Sequence, residues 1–140
     1  MTEAEAYEAL LQHWATAWAA LHPPGPTYIP WIADNEVASS EATWVRVSMV
    51  PTVSTIASIG EATKRMRQGR VAVQLYTPAN AGPGELFRLI GDVRTCLEDK
   101  AITVNTERLH LVAASASGPS SDAVWFMSVV TVEYWFLETP

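Results

Sequence analysis

The sequence predicts an α+β domain in which two helices pack against a mostly antiparallel or mixed sheet, in the order α-β-β-β-α-β-β. In two segments, 3–21 and 84–99, apolar residues recur every three or four positions, as in a helix with one buried face. Elsewhere they alternate with polar residues, as in half-buried strands. The 140 residues, 49% of them hydrophobic, suffice for one domain spanning 1–140.

The first helix is predicted over residues 3–21. Thr2 followed by Glu5 fits a capping box at its start. The proline-rich stretch 22–26 ends the helical pattern. The apolar stripe predicted to face the core consists of Tyr7, Leu10, Leu11, Trp14, Trp18 and Leu21.

Three strands are predicted between the helices. Residues 28–32, interrupted by Pro30, indicate an edge strand, and residues 43–50 alternate as a half-buried strand does. The β-rich segment 52–59 and the strand 70–77 flank the polar, basic stretch 60–70. We therefore predict a hairpin with a basic, mobile tip at 60–70.

The second helix is predicted over residues 84–99, after a loop that ends in Gly-Pro-Gly-Glu. Its apolar stripe is Leu86, Leu89, Ile90, Val93 and Leu97, with Cys96 on the flank. Two strands follow, at about 102–115 and 123–136, and a turn at 118–122 joins them.

The final strand is apolar on both faces. One face carries a regular core set that includes Phe126 and Phe136, and the other carries Trp125, Met127 and Trp135. Two arrangements explain this pattern. The helices could cover one face each, or a neighbouring subunit could cover the second face, because a large apolar patch usually marks an interface.

Charge is unevenly distributed along the chain. The segment 60–70 has a net charge of +3, from four cations against Glu61, whereas the whole chain has −6, which leaves −9 elsewhere. A solvated tip explains such a run. A docking arm that binds an acidic surface, on a partner or on the next copy of the chain, explains it equally. The candidate arm residues are Lys64, Arg65, Arg67 and Arg70.

No catalytic, cofactor or metal motif is found, and we predict that the chain is not an enzyme. Nucleotide-binding glycine loops, the nucleophile elbow, His-Glu-x-x-His and Cys-x-x-Cys are missing from the sequence. Cys96 is interpreted as a buried, inert thiol, and His13, His22 and His110 are widely separated. The net negative charge disfavours binding to the phosphate backbone of nucleic acids. The apolar runs of the sequence are too short to cross a membrane.

Several stretches together resemble a known family. They are residues 65–78 (RMRQGRVAVQLYTP), 82–85 before the second helix, 44–47 (WVRV), 58–60 (SIG) and the closing segment from 125 to 134. Over about 27–136 the chain resembles the tail terminator, or tail completion, proteins of long-tailed bacteriophages, of the minor tail protein U type. In this family the Pro78–Gly84 loop would be richer in glycine than Asn80-Ala81 makes it.

The resemblance implies a virion protein, made in the host cytoplasm, whose six copies form a ring at the head-proximal end of the tail. The ring would stop growth of the tail tube and offer a docking surface to the head connector. Implied partners are the chain itself, the major tail tube protein and the head-tail connector or neck protein, with the tape measure protein as a further candidate. Genomic DNA would pass through the lumen without specific binding, and no membrane is involved.

Two alternatives remain open from the sequence. Another head-tail joining or neck protein of the virion would share this architecture and differ in its partner. A small α+β protein that binds an apolar ligand, or an enzyme, would arrange the tryptophans and His110 around one closed cavity.

Overall fold

Two helices and seven strands make up the part of the chain that the computed structural model describes, which is residues 1–22, 28–29, 43–58, 60, 63–79, 83–118, 120–121 and 125–138. Outside these ranges lie residues 30–32 of the predicted first strand, 59 of the β-rich segment, 61–62 of the basic stretch, 119 and 122 of the predicted turn, and 123–124 of the predicted final strand. The elements are α1 (Glu3–Leu21), β1 (Tyr28–Ile29), β2 (Thr43–Ile56), β3 (Arg65–Pro78), α2 (Pro83–Leu97), β4 (Lys100–Val104), β5 (Glu107–Ala116), β6 (Ser120–Ser121) and β7 (Trp125–Glu138).

Helix α1 has the predicted bounds, and its first turn is fixed by side chains. The Thr2 hydroxyl accepts a hydrogen bond from the Glu5 backbone N–H, and the Glu5 carboxylate accepts one from the Thr2 N–H, both at 3.2 Å. The buried row repeats every four residues, at Ala6, Leu10, Trp14 and Trp18. The core stripe is narrower than predicted, because Tyr7 and Leu21 at its margins are exposed.

We expect Thr2→Ala to lower the free energy of unfolding by about 1 kcal/mol, because it removes the cap of α1. Thr16→Ala, at an exposed site on the same helix, should change the free energy of unfolding little.

Hydrogen bonds from the Thr2 backbone and then its side chain lower the pKa of Glu5 below 4.5. The folded chain therefore favours the ionised form of Glu5 over the protonated form. The resulting contribution to the free energy of unfolding is present above pH 4.5 and is lost as the pH falls through the lowered pKa. Urea titrations at pH 7 and pH 3 check both statements.

The sheet has the strand order β1-β2-β3-β7-β5-β4, and β6 pairs with β7 outside this path. All neighbours are antiparallel except β1 and β2, which are parallel, so the prediction of a mostly antiparallel or mixed sheet is confirmed. Strands β3 and β7 lie at the centre and pair along their whole length, from Arg65 opposite Glu138 to Pro78 opposite Trp125.

Both helices lie on one face of this sheet. Their buried side chains form a single cluster with Val71, Val73 and Leu75 of β3 and with Val130 and Val132 of β7. These strand residues share a face, since Val71 is opposite Val132 and Val73 is opposite Val130. The arrangement with one helix on each face is therefore wrong, and the second face of β7 is left without a helix in the described ranges.

The region after α2 differs from the prediction. Helix α2 begins one residue earlier and ends two residues earlier than predicted, and its six predicted apolar and flank positions are all buried. The predicted strand at 102–115 is two strands, because the chain reverses at Asn105-Thr106. Asn105 has a φ of 56°, in the left-handed region that asparagine tolerates better than most residues. A second left-handed residue, Asp99, stands between α2 and β4.

The predicted basic tip is also corrected, because β3 begins at Arg65. Arg65 to Arg70 pair with β2 on one side and with β7 on the other, so this half of the segment is sheet and not a mobile tip. Strand β2 is exposed from Val50 to Ile56. We call the part of the β2–β3 hairpin formed by residues 50–58 and 63–70 the arm.

Candidate subunit interface

The face of the sheet opposite the helices is the first candidate interface, and we call it the open face. Alternate residues of neighbouring strands point to it, since the register places Trp44 opposite Tyr76, Tyr76 opposite Met127, and His110 opposite Trp135. Most of these apolar side chains are half-buried. Trp44 itself is only 7% exposed, whereas Tyr76, Met127 and Trp135 keep part of their surface accessible, which makes this face a candidate interface.

Three aromatic rings pack together at one end of the open face. Trp44 and Tyr76 stack with centroids 3.8 Å apart, and Trp125 meets both edge-on at 6.0 and 6.2 Å. The Arg46 guanidinium carbon lies 5.4 Å from the centre of the Trp44 ring, which is cation–π geometry. Of this group, only Trp125 is predicted as an interface residue from the sequence. Trp44 and Tyr76 alternate correctly within their own strands, but only the cross-strand register shows that they meet.

At the other end of the open face, Trp135 stacks on His110 with the ring centroids 4.0 Å apart. Trp135 lies between two surface grooves. One, of about 430 Å³, is also lined by Lys64 and Arg108, and the other, of about 380 Å³, by Arg70. Trp135 therefore shares one groove with Lys64 and the other with Arg70. Trp125 is ten residues from Trp135 along β7, about 33 Å away at 3.3 Å per residue, and Met127 lies near it.

Among the four predicted arm cations, Arg67 is used inside the subunit. Its Nε donates to Glu138 at 3.0 Å and its terminal nitrogen donates to the Ser54 hydroxyl at 2.9 Å. This side chain therefore joins β2, β3 and β7. Lys64, Arg65 and Arg70 are exposed, and none of them forms an ion pair within the described ranges. Three cations of the arm can reach a partner.

The remaining titratable side chains form separate structural contacts. His13 Nε2 lies 2.8 Å from the Cys96 carbonyl oxygen, and His22 Nε2 lies 2.5 Å from the Asp92 carboxylate. Both contacts hold α1 against α2. No group of three or more metal-binding side chains occurs among the described residues. No helix in those ranges has the length and apolar character needed to cross a membrane.

Cys96 is buried between α2 and α1, as predicted. Burial, and secondarily the Asp92 charge, raises the pKa of its thiol from 9.0 to about 11. At pH 8 its thiolate fraction should be about a hundredfold lower than that of an exposed thiol. We expect thiol-specific reagents to label Cys96 at least a hundredfold more slowly in the folded chain than in 6 M guanidinium, because burial also blocks access. Equal rates would contradict the burial.

Comparison with known proteins gives a family and a matching fold. A family model described as phage tail terminator protein matches residues 4–134. One solved structure superposes with a TM-score of 0.75 at 13% sequence identity, and the alignment covers 100% of this chain and 99% of the other. At that identity the likeness concerns the fold alone. No curated protein is similar enough in sequence to match the chain.

Proposed function

Because the chain belongs to the phage tail terminator family and is therefore a structural protein of the phage tail, we propose that its copies close into a six-membered ring. This ring caps the head-proximal end of the tail tube, stops polymerisation of the tube and offers the docking surface for the head connector. The family membership favours this reading over a small ligand-binding protein or an enzyme.

The observation that supports the proposal is that one subunit has two different candidate surfaces, the open aromatic face and the exposed arm. A ring requires a heterologous interface, in which one patch contacts a different patch on the next copy. The arm has exposed cations and exposed Val53 and Ile56, whereas the open face is aromatic and half-buried. The subunit therefore has surfaces of different chemistry for its neighbours, the tube and the connector.

Length control follows if each contact between neighbours is weak. A contact of about 4 kcal/mol corresponds to a millimolar Kd, so free subunits stay mostly apart. Docking on a finished tube end raises their effective concentration and closes the ring there. Assembly is then templated by the tube, and rings form where growth must stop. The net charge of −6 suits a ring whose lumen repels passing DNA.

The test combines sedimentation velocity over a wide concentration range with negative-stain electron microscopy and an assay of tube growth. The purified chain is added to polymerising tail tube protein from the same phage, and tube lengths are measured. We expect rings of six on tube ends and shorter tubes as the chain is titrated in. Rings that bind only the connector would assign the chain to the neck, and a monomer that leaves tubes growing would overturn the proposal.

Trp125→Ser is paired with Thr95→Ser as its control, because Trp125 lies on the open face and Thr95 on the exposed side of α2. If the open face is an interface, the first change should reduce capping and the second should not. Circular dichroism of both variants checks that each is folded.

A further inference from the structure

We propose that the arm of one subunit docks into a groove between α1 and β4 of the next copy, with Arg65 and Ile56 of the arm against Glu8 and Val104 of the groove. The inference rests on the proposed ring and names the two surfaces that meet at its subunit boundary. Four observations carry it, and they concern the arm, the groove, their charges and their places in the sheet.

The arm presents apolar and positive side chains together. Ile56 is 61% exposed, the largest exposed fraction among the large hydrophobic side chains described, and it lies directly opposite Arg65 in the register. Arg65 is exposed and has no ion pair within the described ranges. Exposure of the isoleucine to water is unfavourable. Binding to a surface that is both apolar and acidic would bury the isoleucine and pair the guanidinium with a carboxylate, and both changes are favourable.

The groove provides such a surface. It has a volume of about 470 Å³, within the roughly 300–1,000 Å³ of typical binding clefts. Ile102 and Val104 of β4 give it apolar walls, and Glu5 and Glu8 of α1 line its rim. Glu5 is held by the capping box, whereas Glu8 is exposed and faces solvent.

The charges of the two surfaces are complementary. Helix α1 carries Glu3, Glu5 and Glu8 and no Lys or Arg over its 19 residues. The arm carries three exposed cations and the body of the chain is net negative. Two arms would repel each other, as would two grooves, so the charges favour the arm-to-groove contact over either symmetric contact.

The two surfaces lie at opposite edges of the sheet, as a closed ring needs. The arm includes β2, next to the β1 end of the strand order, and the groove includes β4, the last strand at the other end. Subunits placed side by side therefore bring the β2 edge of one copy to the β4 edge of the next. The same contact repeats at each boundary, and it is heterologous.

The test uses two variants of the full chain, Ile56→Cys and Val104→Cys, mixed in equal amounts under mild oxidation. Cys96 is buried and stays out of the reaction. We expect a disulfide between positions 56 and 104, identified by mass spectrometry, in the mixture and in neither variant alone. Arg65→Glu in the Ile56→Cys variant should lower its yield about tenfold through repulsion by the acidic rim.

Glu8→Arg in the Val104→Cys variant should restore the yield with the Arg65→Glu partner. Arg94→Glu, an exposed reversal on α2, is the matched control and should leave the yield unchanged. Predominant 56–56 or 104–104 links, or insensitivity to Arg65→Glu, overturn the pairing.

The outcomes separate the pairing from the proposed function. Rings that cap tubes without the 56–104 link overturn the pairing alone. The link in a chain that leaves tubes growing supports the pairing and overturns tube capping.

Discussion

Replacing Phe136 by alanine is expected to lower the free energy of unfolding by about 3–5 kcal/mol, the typical loss when a fully buried aromatic side chain is truncated. Phe136 is completely buried and belongs to the cluster that joins the sheet to both helices. Its ring stacks on Tyr134 with centroids 6.3 Å apart, and its strand has neighbours on both sides. The surrounding sheet and helices can therefore close only part of the cavity. Because domains of this size are stable by roughly 5–15 kcal/mol, the loss is large.

The adjacent residue provides the control for this prediction. Leu137 points to the open face and is 36% exposed, so Leu137→Ala should cost under about 1 kcal/mol in the isolated subunit. Urea denaturation of both variants, followed by tryptophan fluorescence, gives the two values. Similar losses would show that the open face is packed as tightly as the core, contrary to the described structure.

Gly69→Ala should be the second most damaging of these substitutions, with an expected loss of about 1–3 kcal/mol. Gly69 is buried under the ring of Tyr134, its partner in the register of β3 and β7. An added Cβ would stand 2.5 Å from the Tyr134 hydroxyl and would also collide with the Val50 carbonyl oxygen. That carbonyl belongs to the backbone of β2 and cannot move without disturbing the pairing.

Gly91→Ala is the matched substitution on α2. A Cβ at Gly91 meets nothing within 4 Å, and alanine favours a helix over glycine by up to about 1 kcal/mol. Thermal denaturation should therefore show a lower Tm for Gly69→Ala and a slightly higher one for Gly91→Ala. A neutral Gly69→Ala would mean that the Tyr134 ring and the Val50 backbone both shift at little cost, contrary to the tight packing described.

The parts of the fold that depend on local pattern could be predicted from the sequence. The two helices and their buried faces follow from apolar periods within one segment. The turn at Asn105-Thr106 was missed because it lacks the glycine that usually marks a tight turn. The basic residues of β3 have the polar, charged character that is typical of a hairpin tip. Nothing in the local sequence shows that Arg67 has Ser54 and Glu138 as partners.

The candidate interface could also be predicted from the sequence only where it depends on the pattern within one strand. Trp125 and Trp135 could be selected because both faces of one strand are apolar. Their companions Trp44, Tyr76 and His110 come from other strands, and only the register between strands brings them together. The sequence also allowed a helix on each face, because the outer face of β7 has the apolar character that a helix would cover. Packing of the whole chain decided between these arrangements.

The central place of β7 has a consequence for synthesis of the chain. Strand β3 has its second neighbour only when residues 125–138 are available, about 60 residues after it along the chain. The β2–β3 and β4–β5 hairpins are local, but the sheet that joins them waits for the last strand, and such long-range pairing is slow. A nascent chain on the ribosome should therefore stay open until its final strand emerges. Prematurely terminated chains would lack the middle of the sheet, and we expect cellular proteases to remove them before they reach a tail.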